Sequence, residues 1–323
     1  MDKALAIQKE VQRILGTEEI FLVGGSVRDL VMGNEAKDYD FTTSMLPEEM
    51  VEKVKAAGRR VYTIGQQFGT IGFKVPIFGG ETDSEKSLQF NAKVDFEYVE
   101  VTTFRSEVYT NKSRKPEVKF VPSLDEDLAR RDFTMNAMVL RADGTIYDPY
   151  GGKLDIHAKQ IKTVGMPKDR IIEDPLRIFR AARFAARYGF VIDPNFIGKA
   201  RQLADRIFDV SIERWVQELD KLFTSKDAYG GTHALHEMGI LQRVLPELYG
   251  NSSHCNPFDC CGDIKQWENP DEAWKFILSN ILVPDTIRQP SRTVSFVNSG
   301  ICQRFKFSNA RSDIILDKVK KKD

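Results

Sequence analysis

The first half of the chain alternates short apolar runs with polar turns, which predicts helices and strands that follow one another closely. Residues 1–16 carry apolar side chains at helical spacing and end at Gly16, so they predict an amphipathic helix. Further helices are predicted at residues 26–32, 47–57 and 125–139. Strands are predicted at residues 20–23, 39–42, 60–64, 70–77, 93–104, 118–121 and 145–147, with polar loops at 79–92 and 106–117.

The pattern becomes helical after about residue 167 and keeps a 3.6-residue period to about residue 245. We therefore predict an α+β protein with a head of mixed sheet and helices in residues 1–147. An all-helical neck and body follows in residues 148–250. Residues 251–323 contain four prolines and little periodicity, so the pattern assigns no structure to this tail.

Composition and charge exclude several classes of protein. The 323 residues include 47 Lys and Arg and 47 Asp and Glu, which excludes a uniformly basic nucleic-acid coat but allows a local basic groove. No apolar run approaches the roughly 18 residues of a transmembrane helix, and the first residues lack the apolar core of a signal peptide. A cytoplasmic protein without a membrane partner is expected.

All four cysteines lie in the last quarter of the chain, so disulfides are not expected to hold the main fold together. His254 precedes Cys255, and Cys260 and Cys261 follow shortly after. Their spacing matches no common zinc-ligand pattern, and we predict no zinc site there.

Two glycines separate the first predicted strand from the following helix. A helix N-terminus that follows Gly24 and Gly25 offers free N–H groups to a phosphate, while Ser26 could cap the helix and Arg28 could add a cation. The alternative is a plain turn, because the segment is neither a Walker A loop nor a dinucleotide fingerprint.

Two carboxylates follow on the next predicted strand. Asp38 and Asp40 are two residues apart and therefore point to the same face of a strand, where they repel each other unless a cation lies between them. Oxygen-only ligands suit Mg²⁺, whose other ligands are water and phosphate oxygens. Glu100, a polar residue between valines, is the candidate third carboxylate. A surface Asp pair and a solvent-facing Glu100 are the alternatives.

Two later segments are rich in arginine. Arg130 and Arg131 open an apolar, helix-like segment and suit phosphate contacts or ordinary ion pairs equally well.

The second segment follows an acidic residue. Asp174 is predicted as the N-cap of a helix that begins at Pro175. That helix carries four arginines opposite its apolar face, namely Arg177, Arg180, Arg183 and Arg187. Like charges at this spacing repel without an anion, which indicates a stripe that faces nucleotide or RNA; a solvated face is the alternative.

Six motifs occur in one order, and together they resemble the class II tRNA nucleotidyltransferase (CCA-adding enzyme) and bacterial poly(A) polymerase family over about residues 1–250. They are Leu22-Val-Gly-Gly-Ser-Val-Arg-Asp29, Asp38-Tyr-Asp40, Glu100-Val-Thr-Thr-Phe-Arg105, Arg130-Arg-Asp-Phe-Thr-Met-Asn-Ala137, Asp148-Pro-Tyr-Gly-Gly152 and Glu173-Asp-Pro-Leu-Arg-Ile-Phe-Arg180. Ser211-Ile-Glu-Arg-Trp215 is similar to a later helical motif of that family.

The resemblance implies a polymerase-β-like nucleotidyltransferase head, a neck that selects the nucleotide, and helices that grip tRNA. It implies Asp38 and Asp40 as ligands of two Mg²⁺ ions, with Glu100 as the third catalytic carboxylate. The nucleotide-binding positions that it implies are Gly25, Ser26, Arg28, Arg131, Asp174, Arg177, Arg180 and Arg183. Asp174 and Arg177 correspond to the pair that reads the base.

The activity implied by the resemblance is untemplated addition of CMP and AMP, from CTP and ATP, to the 3′ end of tRNA. Within the family, CC-only addition, A-only addition and poly(A) synthesis are the alternatives. A basic loop at 106–117 argues against CC-only addition, and Gly58-Arg59-Arg60 matches the poly(A) branch only in part. A catalytically silent RNA-binding module is the alternative from another class, and the retained Asp38 and Asp40 argue against it.

Overall fold

The computed structural model describes residues 1–77, 95–108, 117–246, 267–279, 302–303, 305–307 and 311–312. The chain divides into two compact units, Met1–Ala158 and Lys159–Asp323. The first unit thus continues past residue 147, because the helix Gly152–His157 contacts residues 134–136 within it.

The first unit contains the predicted mixture of strands and helices. Its helices are α1 (Asp2–Leu15), α2 (Gly25–Val31), α3 (Pro47–Ala56), α4 (Leu124–Ala129) and α5 (Gly152–His157). Its strands are β1 (Ile20–Val23), β2 (Tyr39–Thr43), β3 (Val61–Tyr62), β4 (Thr70–Ile77), β5 (Asp95–Thr103), β6 (Arg105–Val108), β7 (Glu117–Phe120), β8 (Val139–Leu140) and β9 (Ile146–Tyr147). Gly16 ends α1 in the left-handed conformation with φ 69°, as its position predicted.

Seven of these strands form one mixed sheet in the order β3-β4-β5-β2-β1-β8-β9. β2 and β5 run parallel, whereas the other neighbours in the sheet are antiparallel. β6 and β7 pair separately as an antiparallel hairpin. A mixed sheet with helices is the fold class that the sequence predicts for the head.

The two faces of the sheet differ in chemistry because side chains alternate along each strand. On β2, β4 and β5, one face is apolar and buried; it carries Tyr39, Phe41, Ile71, Phe73, Val75, Val99 and Val101. Both α1 and α3 contact β4, and their own apolar side chains, such as Ile7 and Met50, are fully buried. The opposite face carries Asp40 and Glu100 on neighbouring strands. Hydrophobic burial on one face therefore fixes which side chains the other face presents.

Two predictions for this unit are wrong. The segment 125–139 is not one helix, because α4 ends at Ala129, a 3₁₀ turn covers Thr134–Asn136 and a strand begins at Val139. Residues 105–108 form a strand, whereas the polar loop is predicted to begin at residue 106. The predicted loop 79–92 and most of the loop 106–117 lie outside the described residues.

The second unit is mostly helical, as predicted. Its helices are α6 (Pro167–Glu173), α7 (Arg177–Tyr188), α8 (Pro194–Gln202), α9 (Ile212–Phe223), α10 (Ala228–Glu237), α11 (Leu241–Val244) and α12 (Pro270–Ser279). A short parallel pair of strands, β10 (Gln160–Ile161) and β11 (Val191–Ile192), lies within this otherwise helical unit. α7 is its central element and packs against both α9 and α10.

The described part of the tail packs on this helical unit. Trp274 of α12 is fully buried and lies edge-on to Phe223 of α9, with 5.5 Å between the ring centroids. Arg311 donates to Asp220 of α9 and to Asp271 of α12. The tail cysteines Cys255, Cys260 and Cys261 lie outside the described residues.

None of the helices that the structure describes is long and apolar enough to cross a membrane.

Candidate active site

A sharp turn after β1 leads directly into α2. Gly24 adopts φ 72° and ψ −129°, a conformation open mainly to glycine, and it takes the N-cap position of α2. A Cβ at Gly24 would lie 3.3 Å from Nη1 of Arg131, and a Cβ at Gly25 would lie 3.3 Å from Nη2 of Arg28. The glycines therefore let two arginine side chains lie against the backbone of the turn.

The predicted cap at Ser26 is wrong. Ser26 is buried, and its Oγ donates to the carbonyl oxygen of Asp38 instead of accepting from a helix N–H. This bond ties α2 to the residue before β2, so Ser26 helps to place the first carboxylate. A nucleotide contact by Ser26 stays a prediction.

Arg28 joins the first and fourth motifs. Its guanidinium is buried and donates to Asp29 Oδ1 at 2.8 and 2.9 Å and to Asn136 Oδ1 at 2.8 Å. Asn136 in turn donates to Asp132 Oδ1 at 3.0 Å. Residues more than a hundred positions apart thus share one buried polar network, which fixes the segment that carries Arg131 beside the glycine turn.

The sheet brings the predicted carboxylates together. β1 and β2 are antiparallel with Leu22 opposite Phe41, so β1 ends beside the start of β2, where Asp38 and Asp40 lie. Across the parallel β2–β5 pair, Asp40 is directly in register with Glu100. Asp38, Asp40 and Glu100 are all exposed at the surface. The carboxylate cluster predicted from the sequence therefore lies at one place on the polar face of the sheet.

Asp40 is the most perturbed of these carboxyl groups. Desolvation by the surrounding protein, followed by the charges of Glu100 and Asp38, raises the pKa of Asp40 to about 6. The charge of Arg131 acts in the opposite direction and lowers it. The two neighbouring carboxylates thus place more negative charge around Asp40 than Arg131 offsets. Such an environment is expected of a site that binds a metal cation, alone or together with a phosphate.

Arg130 and Arg131 do not open a helix, as the sequence suggested, but follow the last turn of α4. Asp127 is fully buried and accepts from Arg130 at 2.7 Å and from Arg131 at 2.9 Å. These two arginines lower the pKa of Asp127 against the opposing effect of its burial. The Nε of Arg131 is buried without a partner among the described residues, so this guanidinium keeps an unused donor in the site.

Asp127 is a residue of the site that the sequence motifs do not single out. The residue lies three and four positions before the two arginines, which on a helix is the spacing of an ion pair. The helix predicted at residues 125–139 already contains this spacing, so the sequence held a signal for the ion pair.

In the helical unit, the predicted N-cap at Asp174 is wrong. α6 runs to Glu173 and α7 begins at Arg177, so Asp174 lies in the tight turn between them. Its Oδ1 accepts from the backbone N–H of Leu176 at 3.1 Å, and its Oδ2 accepts from Arg214 at 3.1 Å. Arg214 belongs to the later helical motif, which therefore serves to hold Asp174.

The arginines of α7 are not an open stripe. Arg177 is buried and donates to Glu173 at 2.9 Å, and Arg183 is nearly buried and donates to Glu218 at 2.5 Å. Arg180 is half-buried beside Phe184, with 5.6 Å to the ring centroid, and Arg187 is exposed. Acids from α6 and α9 supply the negative charge that the sequence of α7 lacks. Nucleotide contacts by Arg177, Arg180 and Arg183 stay predictions.

The donor set of the head fits a hard divalent cation. Asp38 and Asp40 offer only oxygen atoms, and the negative charge around Asp40 exceeds what Arg131 offsets. Among the described residues, no three His, Cys, Asp or Glu side chains lie close enough together to hold a metal ion by themselves. Two protein carboxylates with the remaining positions open to water and phosphate oxygens are typical of Mg²⁺ sites at which a nucleotide binds.

Two family models match the chain. Residues 20–162 match the poly A polymerase head domain, and residues 189–250 match the probable RNA and SrmB- binding site of polymerase A. The first match covers the glycine turn, the three carboxylates and both arginines of the fourth motif.

Curated relatives support the same family as the two models. A CCA-adding enzyme of Levilactobacillus brevis is 37% identical over 225 residues, which are 69% of this chain and 51% of the relative. A CCA-adding enzyme of Bacillus subtilis is 36% identical over 253 residues, which are 77% of this chain and 57% of the relative. The chain thus spans about half the length of the curated relatives that it matches.

A solved structure supports the same assignment for the fold. The CCA-adding enzyme of Bacillus stearothermophilus in complex with CTP is similar to this chain with a TM-score of 0.71 and 27% identity, over 99% of this chain and 69% of that one. The match takes in both compact units. With the motifs, the family models and the curated relatives, it leads to one assignment. The chain belongs to the family of tRNA nucleotidyltransferases and poly(A) polymerases.

Proposed function

We propose that this chain adds CMP and AMP, taken from CTP and ATP, to the 3′ end of tRNA without a nucleic-acid template. The observation that carries the proposal is the crowding of Asp38, Asp40 and Glu100 beside the glycine turn and Arg131. A module that only binds RNA has no physical reason to keep a mutually repelling carboxylate group. The curated relatives named CCA-adding enzymes support this activity over poly(A) synthesis.

In the proposed reaction the 3′ hydroxyl oxygen of the RNA bonds to the α-phosphorus of the nucleotide and gives up its proton to solvent. The bond from that phosphorus to the bridging oxygen of pyrophosphate breaks, and pyrophosphate leaves. Asp38 and Asp40 would hold Mg²⁺, and we propose two ions. When bound, they would favour ionisation of the attacking hydroxyl and neutralise charge on the phosphates.

The other head residues bind and orient the nucleotide. Arg131 keeps a buried, unused Nε donor, and it lies against Gly24 with no Cβ in the way. This donor suits a phosphate oxygen, because a charged N–H bonded to an anion is among the stronger hydrogen bonds in proteins. Asp127 holds the guanidinium in place from its buried side. Arg28 would act on the turn through Asp29 and Asn136 and fix its shape.

Base choice is assigned to Asp174 and Arg177. Cytosine and adenine both present an amine donor beside a ring-nitrogen acceptor, whereas uracil and guanine present the reverse pattern. A carboxylate can accept from the amine and a guanidinium can donate to the ring nitrogen. Asp174 and Arg177 are held in fixed positions by Arg214 and Glu173, which would preorganise such a reader.

The decisive experiment measures Mg²⁺-dependent incorporation of labelled CTP and ATP into tRNA that lacks its 3′-terminal CCA. Addition of two C and one A supports the proposal. C alone, A alone or a long A tract identifies a family alternative, and no addition under any condition supports a silent module.

The matched variant is Asp40→Ala, with Glu52→Gln on α3 as a control that removes an exposed carboxylate remote from the site. Loss of a carboxylate that holds the metal should cost several kcal/mol of transition-state stabilisation, so activity should fall at least about a hundredfold. Glu52→Gln should keep wild-type activity. Retention of more than about one hundredth of the activity in Asp40→Ala would refute the site assignment.

A further inference from the structure

A group of basic and aromatic side chains lies on the head beyond the carboxylates. Arg59, Arg60, Tyr62, Lys74 and Phe96 line a shallow surface cavity of about 250 Å³. We call these residues, together with Tyr98, the basic-aromatic patch. The cavity is smaller than the roughly 300–1,000 Å³ of pockets that enclose a small molecule, so it suits a ligand that extends beyond it.

Among the residues that the structure describes, the three cations of the patch have no acidic partner. Arg59, Arg60 and Lys74 form no ion pair with any residue that the structure describes. Arg59 instead lies 6.0 Å from the ring centroid of Phe96, and Arg60 lies 5.2 Å from that of Tyr62. Uncompensated like charges this close together favour an anionic ligand over a purely structural role.

The aromatic side chains of the patch lie open on the sheet. Phe96 is 49% exposed and Tyr98 is 44% exposed, although both are large apolar groups on a strand. A Cβ at Gly72 would lie 2.0 Å from the Tyr98 hydroxyl, so the glycine is what allows the Tyr98 ring to lie across β4. Tyr62 meets Tyr98 edge-on at 5.8 Å. Exposed rings on a sheet face, flanked by cations, are typical of surfaces on which unpaired bases stack.

The patch is continuous with the carboxylates. One row of register partners crosses the sheet from Asp40 to Glu100, then to Gly72 and to Tyr62. At about 4.8 Å per strand, Tyr62 lies about 14 Å from Asp40. Tyr98 also donates to Glu100 Oε1 at 3.3 Å. A strand of RNA whose end lies at Asp40 could therefore place its preceding nucleotides on the patch.

We propose that the basic-aromatic patch binds the single-stranded 3′-terminal nucleotides of the RNA that is extended. Arg60 and Lys74 bind its phosphates, and Phe96 and Tyr98 stack on its bases. The proposal rests on the proposed function, because that function places an RNA 3′ end at the carboxylates. Single-stranded RNA fits better than a duplex because the faces of paired bases are not available for stacking.

The test is fluorescence anisotropy with a 5′-labelled, eight-nucleotide single-stranded RNA and the full chain in EDTA, at several salt concentrations. Removing two phosphate contacts in Arg60→Gln/Lys74→Gln should weaken binding about tenfold. It should also lower the slope of log K against log salt by about 1.4, at about 0.7 per contact. Phe96→Ala should weaken binding about fivefold or more with an unchanged slope, because stacking does not release counterions.

The matched control is Lys53→Gln/Lys55→Gln, which removes the same charge from α3 on the other side of the sheet. This control should bind like the wild type. Equal loss in the control and in the patch variant would mean general attraction to the chain and would overturn the proposal. So would an unchanged affinity in both patch variants.

Binding of a blunt-ended RNA hairpin distinguishes single-stranded RNA from duplex RNA as the ligand of the patch. If Arg60→Gln/Lys74→Gln weakens hairpin binding as much as single-strand binding, the patch binds duplex RNA and the proposal is wrong. Since EDTA prevents catalysis, these results do not depend on whether nucleotide addition occurs. A wild type that binds the single strand through the patch but adds no nucleotide would refute the proposed function alone.

Discussion

The head and the helical unit both concentrate charge, but they treat it differently. In the head, desolvation and then the charges of two neighbouring carboxylates raise the pKa of Asp40 to about 6, against the opposing charge of Arg131. In the helical unit, Arg177 and Arg183 each meet a glutamate from another helix. Charges of one sign thus lie together without full compensation around Asp40, whereas Arg177 and Arg183 are each neutralised by a glutamate.

The difference indicates which charges await a ligand. A charge that is already paired and buried stabilises its own unit, and a ligand must compete with that partner. A charge that the fold leaves uncompensated destabilises the free protein and is offset only when an opposite charge binds. By this criterion we propose Asp40 and the basic-aromatic patch as ligand sites. Arg131 shares the single carboxylate of Asp127 with Arg130, so this group keeps one net positive charge. Arg183, paired with Glu218, is first of all part of the architecture.

The largest expected effect tests the paired side of the comparison. Glu218→Gln removes the partner of Arg183 and leaves a buried guanidinium without compensation, which should lower the free energy of unfolding by about 3–5 kcal/mol. Urea unfolding followed by tryptophan fluorescence measures this, since Trp215 lies on the same helix as Glu218.

The double variant Arg183→Met/Glu218→Leu distinguishes the ion pair from mere packing. Replacing both partners by apolar side chains should restore most of the lost stability. If the double variant is as unstable as Glu218→Gln, the pair is not the cause. If it is stable but binds ATP more weakly than the wild type, Arg183 also contacts the nucleotide.

A smaller effect is expected at Asp174. This residue is intermediate between the buried, paired charges and the exposed, uncompensated ones, because it is half-buried and paired with Arg214. Asp174→Ala should lose selectivity for CTP and ATP over UTP and GTP. Two mismatched contacts at about 1–3 kcal/mol each give roughly hundredfold discrimination in the wild type. The measurement is the rate of incorporation of each of the four nucleotides by wild type and variant.

Arg214→Gln is the matched control, because it removes the ion pair but leaves the carboxylate. It should lower the rate with all four nucleotides while preserving most of the preference. Unchanged relative preferences in Asp174→Ala would mean that Asp174 only closes the turn between α6 and α7 and that the base is read elsewhere.

Much of the head could be predicted from the sequence because its elements are short and strongly patterned. The alternation on β2 and β5 buries Phe41 and Val99, and the same alternation puts Asp40 and Glu100 together on the other face. Local pattern was therefore enough to find the carboxylates. Family resemblance added the roles of residues such as Arg131, which no local pattern assigns.

The errors arose where long-range contacts override local pattern. The segment 125–139 reads as a helix, but Asp132 and Asn136 are drawn into a network with Arg28, more than a hundred residues away. The arginines of α7 read as unbalanced because Glu218 lies on another helix, 35 residues later in the chain. A sequence window contains neither partner, so neither outcome could be read from it.

The smallest expected effect tests the uncompensated side of the comparison, through the pH dependence of stability in the metal-free protein. The pKa of Asp40 is raised from 3.8 to about 6 in the folded state, so folding favours its protonated form. Its stabilising contribution is fully present below about pH 4 and is lost as the pH rises through about 6. Asp40→Asn cannot ionise and should escape that loss.

Urea unfolding in EDTA should be measured at pH 4.5 and pH 8. The free energy of unfolding of Asp40→Asn should increase relative to that of the wild type as the pH rises. Because the Asp40 side chain is exposed, solvent screening reduces the full linkage value, and we expect a difference of about 1 kcal/mol at pH 8. Glu52→Gln should follow the wild type at both values. Parallel behaviour of Asp40→Asn and the wild type would mean that Arg131 and water already compensate Asp40, which would remove the contrast between the two units. Added Mg²⁺ should abolish the advantage of Asp40→Asn at pH 8, because the cation stabilises only the chain that keeps both carboxylates.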